Sequence, residues 1–597
     1  MKSLKLFTIL SFLISNIVNA EVTFKVIAVN GTPSVIVNSK EYPMTVVDYP
    51  IYSVKVPEVS PPVQYHYKLN NGVEVVEESQ ERTTELSETL NDFFNRSITI
   101  TKLPLLPKVY ETPNTIKKSK LYDDNYVSTV IIKADEAAIN NLHTNPTDKT
   151  LKVLGAQVIY VDPYDIRKFT DAKISINGQS TVKCKKLSYK ISNLKTPEGK
   201  ELYNRSAIKL RANYHDPSYI RDKLYSDVLN TLGVPVTQSK FSRVFINGND
   251  IGLFTLADAV TNKRFIRSVL NNGAKFNVTN ALFKADYDER GGNYGNLDIN
   301  GDLGVYSYKG EEEVFDSNEK VNTILLPFIK EINQYPQTQQ LNFDIESFFK
   351  FMVMEYAAGG VDNFWFRPGN YYLYKDMKKN YWHFLDADFH FSFGVGIGVN
   401  GIMSTQPLLD ATIDTYTSAN AGMPITSRPL IDNLRSNQAN EGFFMDTFKA
   451  FTQKVFNLNA LEKRIDAMAD LIREDVYWDL KLEKVSKFND PVKLKVYDYN
   501  ENDFESQVKE TGANSTLPNI FPIKYWIKTR QDSLATQLGI TIPDKVDDSL
   551  GYYEPLVHKL KTEKPVAVAN NTSDATARFS KSIYCGIVIY LLSYLLF

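Results

Sequence analysis

The sequence predicts an α+β protein, with strands gathered in its first half and helices in its second. Three observations carry that reading. Residues 21–78 alternate β-branched and polar residues in short runs, an aromatic-rich hairpin falls at 370–386, and helical apolar spacing dominates from about residue 320 onward. A length of 597 residues implies more than one domain, and 43% hydrophobic content supports sizeable cores. Lys+Arg number 68 against 70 Asp+Glu, so nothing in the charge points to nucleic acid.

Taken in order, residues 1–20 read as a secretory signal: Lys2 and Lys5, an apolar run over 6–17, then Val18-Asn19-Ala20 as a small-residue cleavage site. Residues 21–78 read as a small β-sandwich-like module with turns at Asn30-Gly31, Pro61-Pro62 and Asn70-Asn71-Gly72. A spacer role suits it better than a binding role. Residues 79–125 form a connector punctuated by Pro104, Pro107 and Pro113. Over 126–260 strands are expected at 128–133, 151–160, 174–183 and 186–191, and a hairpin at 242–256 turns on Asn247-Gly248-Asn249-Asp250. Gly178 with Ser180 and Thr181 either turns backbone N–H groups toward a phosphate or closes an ordinary hairpin, the second being preferred. Asp216-Pro217-Ser218 opens a helix whose stripe is Ile220, Leu224, Val228 and Leu229. Over 261–542, residues 271–313 read as a Gly-, Asn- and Asp-rich surface loop. Helices are expected at 322–335, 345–357, 440–456, 460–476 and 522–538. A Gly/Ser/Thr-rich insertion at 395–428 reads as a substrate lid or a contact surface, and 543–571 as a stalk.

The hairpin carries the chemistry. Asn370-Tyr-Tyr-Leu-Tyr-Lys375 and Tyr381-Trp-His-Phe-Leu-Asp386 flank the polar loop Asp376-Met-Lys-Lys-Asn380. Symmetry about Lys378 sets Asn370 opposite Asp386, and Asp388 shares a face with Asp386 if the strand continues. Asp362 approaches from the preceding loop. Such hard oxygen ligands suit magnesium, and phosphoryl transfer needs the same parts: an Asp at the acceptor hydroxyl, then an Asn and an Asp on the metal. The candidate catalytic residue is therefore Asp362, and the candidate metal ligands are Asn370, Asp386 and Asp388. Ala207-Ile208-Lys209 mimics the phosphate-pairing lysine motif of kinases. The spacing departs from that of ordinary kinases, since Asn370 lies eight residues after Asp362 and no His-Arg precedes it.

Asp362, Asn370-Tyr-Tyr-Leu-Tyr374, Trp382, Asp386-Ala-Asp388 and Phe393-Gly394 together resemble the signature of the CotH spore-coat family, whose bacterial members are secreted atypical protein kinases. The resemblance runs from about Ser175 to about Gly539 and includes Lys186-Leu-Ser-Tyr-Lys190, Asp216-Pro-Ser-Tyr-Ile-Arg221 and Ile246-Asn-Gly-Asn-Asp-Ile-Gly-Leu-Phe254. It implies a two-lobed, protein-kinase-like core, with an N-lobe over 126–260 and a C-lobe over 261–542. It implies ATP with Mg²⁺ or Mn²⁺ as cofactors of an active site, Lys190 as the first candidate phosphate-binding lysine with Lys209 second, and Asp258 where relatives carry a hinge Glu. The helix after Asp216 lacks the usual Glu, for which Asp216, Arg221 or Asp222 is expected to substitute. The layout also resembles the CotH-like surface proteins of mucoralean fungi, some of them invasins that bind host cells through a BiP-type heat-shock chaperone.

The apolar end Cys585–Phe597 follows a polar spacer and the small residues Asn571-Thr572-Ser573, the pattern of a glycosylphosphatidylinositol (GPI) signal removed over 572–597. Asn571 is the preferred attachment site and Ser573 the second, and a tail-anchored helix is the alternative. Of two cysteines, Cys184 and Cys585, the second leaves with the tail, so no internal disulfide is expected. Sequons stand at Asn30, Asn95, Asn204, Asn277, Asn514, Asn570 and Asn571. Two functions remain: a GPI-anchored surface invasin or spore-surface protein that binds a host receptor, or a magnesium-dependent secretory-pathway kinase acting on coat or wall proteins.

Overall fold

The computed structural model describes residues 20–288, 292–396, 405–419, 426–545 and 550–552. Strands β1 (Glu21–Ile27), β2 (Thr32–Val37), β3 (Lys40–Pro43), β4 (Thr45–Asp48), β5 (Ile51–Pro57), β6 (Val63–Asn70), β7 (Val75–Glu77), β8 (Arg82–Thr84) and β9 (Asp92–Phe93) make two sheets. One runs β4-β5-β1-β9 and the other β3-β2-β6-β7, with β8 on β6. Alternation drives this: Val22, Phe24 and Val26 of β1 meet Val35, Val37, Tyr65 and Tyr67 of the other sheet in one buried cluster. The buried Asp92 carboxylate accepts from the Tyr65 and Tyr67 hydroxyls, both at 2.9 Å. The expected connector thus supplies β8 and β9, and β9 runs parallel to β1.

Next come β10 (Ser128–Lys133), α1 (Glu136–Thr144), β11 (Val153–Val161), β12 (Ile166–Asn177), β13 (Ser188–Ser192), β14 (Ala207–Arg211), α2 (Arg221–Thr231), β15 (Ser239–Ile246) and β16 (Asn249–Asp258). The seven strands close a barrel in the order β10-β11-β12-β13-β14-β16-β15, sealed by the parallel pair β10 and β15. Its interior holds Val130, Tyr160, Ile174, Tyr189, Ile208, Val244 and Phe254. Closure removes the sheet edges that would otherwise need covering.

The rest comprises α3 (Lys263–Leu270), β17 (Ala281–Ala285), β18 (Tyr287–Asp288), β19 (Asn293–Tyr294), β20 (Tyr306–Tyr308), α4 (Ser317–Lys320), α5 (Leu326–Thr338), α6 (Ile345–Ala358), β21 (Tyr371–Asp376), β22 (Tyr381–Asp386), α7 (Gln406–Asp410), α8 (Pro429–Arg435), α9 (Gln438–Lys454), α10 (Leu458–Lys481), α11 (Glu501–Lys509) and α12 (Ile523–Leu538). The large apolar cluster joins α2, α5, α6, α8, α9, α10 and α12. The α+β class holds. Residues 271–313, however, are not wholly a surface loop: β17 is a buried inner strand of the sheet β20-β17-β21-β22.

Aspartates hold α10 against the barrel. Asp475 takes the Arg96 Nε at 3.0 Å and also pairs with Arg243, while Asp479 pairs with Lys186 at 2.8 Å and accepts the Tyr219 hydroxyl at 2.7 Å. The hairpin β21–β22 exists, but its register is Tyr371↔Asp386 to Asp376↔Tyr381. Asp376 Oδ1 accepts the Lys378 and Lys379 amides, both at 3.1 Å, and so shortens the turn by one residue. Among the described residues no helix is long and apolar enough to cross a membrane. The signal segment 1–19, Asn570, Asn571, Ser573, the tail and much of the 395–428 insertion lie outside the described residues.

Candidate functional site

A cavity of about 610 Å³ opens between the barrel strands β13 and β14 and the hairpin β21–β22. One wall is made by the loop after α6. That helix ends at Gly359, whose φ of +64° and contact with Trp526, 2.2 Å from any added Cβ, admit only glycine. The buried Glu355 carboxylate then accepts the amides of Phe364 (3.1 Å), Trp365 (2.6 Å) and Phe366 (3.2 Å). On the other side Arg428 donates to the carbonyls of Trp365, at 2.7 Å, and Phe366. The loop is thus held from both sides, and it presents Asp362.

Asp362 is 3% exposed and lines the cavity. Its Oδ2 accepts from Asn370 Nδ2 at 2.9 Å and from the Tyr287 hydroxyl at 3.4 Å, while Oδ1 is buried with no partner. Burial pushes its carboxyl up to about 6. A buried acceptor without a donor is costly. Asn370 (φ +54°) precedes β21 and is not opposite Asp386, correcting the expected register. Its amide instead fixes Asp362.

The end of β22 at Asp386 separates the two later aspartates. Asp386 lies inside the protein, accepting from Asn363 Nδ2 at 2.9 Å and from the Tyr225 hydroxyl at 3.4 Å, and it does not line the cavity. Burial raises its carboxyl to about 7. Asp388 does line the cavity. The strand ends at Asp386 and Asp388 has φ +71°, so the two do not share a strand face as expected. Although burial opposes it, Arg211 and His390 hold Asp388 well below the usual carboxylate range. Both bond to Oδ1, His390 Nδ1 at 2.6 Å, and no described residue bonds Oδ2.

Lys190 and Lys209 face each other across β13 and β14 and both line the cavity. Burial, then neighbouring Arg211, lowers Lys209 to about 8; burial, then Lys152 and Lys309, lowers Lys190. Among the described residues no carboxylate pairs with Lys190, Lys209 or Lys309, all of which line the cavity. The Gly178 turn closes the cavity's outer edge, and the glycine's φ of +111° sets any Cβ 1.8 Å from Thr181 Oγ1. Asp258 does not line the cavity. It is held by Arg205 Nε at 2.5 Å and the Tyr122 hydroxyl at 2.7 Å, which removes it from any contact there.

None of the three expected stand-ins on the helix after Asp216 pairs with Lys190 or Lys209: Asp222 pairs with Arg211 instead, its Oδ2 2.9 Å from Arg211 Nε, and its Oδ1 accepts the Phe389 amide at 3.1 Å. Asp216 and Arg221 pair with each other. Sequence reasoning missed Arg211, although alternation along β14 puts it on the Lys209 face. It also missed Tyr287, Glu355 and His390, for which the chain offers no local signal. Among the described residues no three His, Cys, Asp or Glu side chains cluster as metal ligands. A magnesium ion bound with phosphates needs only one or two carboxylates from the protein, so the free Oδ2 of Asp388 with the Asn370 Oδ1 beside it in the cavity lining fits one. Sequon residues Asn30, Asn95, Asn204, Asn277 and Asn514 are all exposed.

A family profile described as CotH kinase protein matches residues 174–509, just over half of the chain. Invasin CotH3 of Rhizopus delemar is 28% identical over 493 residues, covering 79% of this chain and 77% of that protein. Invasin CotH2 of the same fungus is 28% identical over 496 residues, 79% and 76% of the two chains. Inner spore coat protein H of Bacillus subtilis is 23% identical over 325 residues, 52% of this chain and 80% of that one.

Proposed function

This chain belongs to the CotH kinase protein family, and from that premise we propose that its cavity binds a nucleoside triphosphate and transfers the terminal phosphoryl group to a protein hydroxyl. The barrel acts as the upper lobe of a kinase-like core and the helical part as the lower one. The observation that supports this most is the unpartnered Asp362 Oδ1 set in the same cavity as three lysines without carboxylate partners. Asp362 orients the acceptor hydroxyl and takes its proton. Asn370 and Tyr287 hold Asp362 in place. Lys190, Lys209 and Lys309 meet phosphate oxygens, and the Gly178 turn covers them. Asp388 and the Asn370 Oδ1 would hold Mg²⁺ or Mn²⁺, which when bound neutralises phosphate charge. Asp386 supports the loop from behind through Asn363.

Radiolabelled ATP with Mg²⁺ or Mn²⁺ and the mature protein tests this. Transfer is expected from wild type, with Asp362→Asn and Asp388→Asn lower by ~10²–10³, the usual cost of removing one preorganised electrostatic contact. Absence of nucleotide binding with either metal would overturn the reading.

The invasin names of the Rhizopus relatives favour a second, compatible reading. On it the protein is secreted, GPI-anchored at Asn571 or Ser573 and displayed at the fungal surface, where it engages a host receptor of the BiP type. A phosphoryl-transfer step then takes place in the secretory pathway, on coat or wall proteins, before display. Phosphatidylinositol-specific phospholipase C should release the protein, and soluble protein should block fungal attachment to host cells. Recovery of Cys585–Phe597 from the mature protein would refute the anchor.

A further inference from the structure

Four side chains form a continuous line from the cavity into the barrel wall. Asp388 Oδ1 meets His390 Nδ1 at 2.6 Å, His390 Nε2 meets His215 Nδ1 at 3.3 Å, and His215 Nε2 meets the Cys184 thiol at 3.2 Å. Exposure falls along the line: 35% for the Asp388 side chain and 12% for His390, then 3% for His215 and none for Cys184. The rings are fixed by stacking, His215 on Phe391 at 5.2 Å and against Tyr497 at 4.9 Å.

An ionised carboxylate only accepts, a neutral imidazole donates from one nitrogen and accepts at the other, and a thiol donates. Arg211 keeps Asp388 ionised, so His390 donates from Nδ1 and accepts at Nε2. His215 therefore donates from Nδ1 and accepts at Nε2, and Cys184 S–H completes the series. Burial pushes that thiol up to about 12, so the end of the line stays a donor. Each atom in the line then has one role; the reverse arrangement, with His390 Nδ1 accepting from Arg211 Nη2 at 3.1 Å, would leave a bare nitrogen 2.6 Å from the Asp388 carboxylate with no proton between them.

We propose that His390, His215 and Cys184 are positioning residues that hold the Asp388 carboxylate with Oδ1 turned inward and Oδ2 presented to the cavity; the inference rests on Asp388 being the cavity's metal-facing carboxylate. Outer partners of this kind commonly set metal affinity by 10–100-fold. The line gives Asp388 its orientation even though its backbone, at φ +71°, has left the strand. Arg211 fixes the same oxygen from the barrel side, so Oδ2 alone remains for a ligand.

The test uses the mature protein and two readouts. Although burial opposes it, Asp388 raises the His390 pKa, so nitrogen-15 imidazole NMR at a pH high enough to keep His390 neutral should show both His215 and His390 protonated on Nδ1 and bare on Nε2. A proton on Nε2 of neutral His390 would overturn the proposal whatever the protein binds. Electron paramagnetic resonance with Mn²⁺ and ATP supplies the second readout. His390→Leu and His215→Phe should weaken Mn²⁺ binding by 10–100-fold, the phenylalanine keeping the stack on Phe391. His390→Asn, which keeps a donor where Nδ1 stood, should stay within about threefold of wild type, as expected if donation to Asp388 is what matters. Equal affinity in His390→Leu, His390→Asn and wild type would also overturn it. If wild type itself takes up no Mn²⁺ with ATP, the nucleotide-site reading fails, and the imidazole spectrum alone decides the arrangement of the line.

Discussion

Glu355 supports the loop that carries Asp362, so Glu355→Ala should remove the loop before it removes the fold. Its carboxylate accepts the three amides of Phe364, Trp365 and Phe366 and is wholly buried. Deleting it orphans all three. Each unsatisfied buried donor costs roughly 1–3 kcal/mol, giving about 3–9 kcal/mol in total. Native domains hold only about 5–15 kcal/mol, so the protein lowers this cost by letting the loop open to water. The signature is therefore local. Amides 364–366 should lose hydrogen-exchange protection while the amides of β12–β16 keep theirs, and nucleotide affinity should fall with the loop. Glu355→Gln retains Oε1 and the three acceptor contacts. Burial, then nearby Asp386, already raises this carboxyl to about 8, so the neutral amide resembles the native group and should cost no more than about 2 kcal/mol. If Glu355→Ala unfolds within about 1 kcal/mol of wild type in urea with residues 364–366 still protected, the carboxylate does not hold the loop and the reasoning fails.

Asp362→Asn should stabilise the protein while silencing transfer. The native carboxyl is raised from 3.8 to about 6, so its contribution is full below its unfolded value and is lost as pH rises through 6. The variant should gain up to roughly 3 kcal/mol at pH 7 and nothing below about pH 4; a lower Tm than wild type at pH 7 would contradict this. Lys209→Met should weaken ATP binding at least about tenfold, as loss of a phosphate contact would, with Tm unchanged or raised. The native lysine is lowered from 10.5 to about 8, so wild type loses stability as pH falls through that interval. Gly252→Ala, at φ +124°, would set a Cβ 1.8 Å from Asp479 Oδ1 and break the buried pair with Lys186. Urea unfolding should show a loss of about 3–5 kcal/mol, and a change under about 1 kcal/mol would remove that pair from the barrel–α10 contact.

What was legible in the sequence was periodicity; what was not was register and return contacts. The β21–β22 strands, the α6 helix and the barrel hairpin at 247–248 follow from alternation, apolar spacing and turn residues. The hairpin's register does not, because Asp376 closes its turn with two backbone contacts that composition alone does not specify. A slip of one residue exchanges the two faces of a strand, and that slip parts Asn370 from Asp386, while the end of β22 at Asp386 parts Asp386 from Asp388. Strand β17 was hidden by the Gly- and Asn-rich chain on either side of it. Glu355 reads locally as one more residue of a buried helix, and its part becomes visible only when the loop folds back over it.

The cavity sets out its groups at a cost in stability. Asp362 and Asp388 each have one oxygen bound to the protein and the other left without a partner from it. Lys190, Lys209 and Lys309 stand beside them without carboxylates. Burial disfavours the charged forms of Asp362, Lys190 and Lys209, so these three cost stability in the free protein, whereas Arg211 and His390 keep Asp388 ionised. An anion carrying several phosphate oxygens would satisfy the lysines, and a hydroxyl would satisfy Asp362. An adhesive surface needs none of this, because contact area and complementarity can be built from groups already satisfied. The arrangement therefore weighs toward a ligand-binding role for the cavity. If adhesion uses other surfaces of the same chain, Asp362→Asn should leave host-cell binding intact while abolishing transfer. Loss of both together, in a variant shown to be folded, would mean that the cavity is itself the adhesive site.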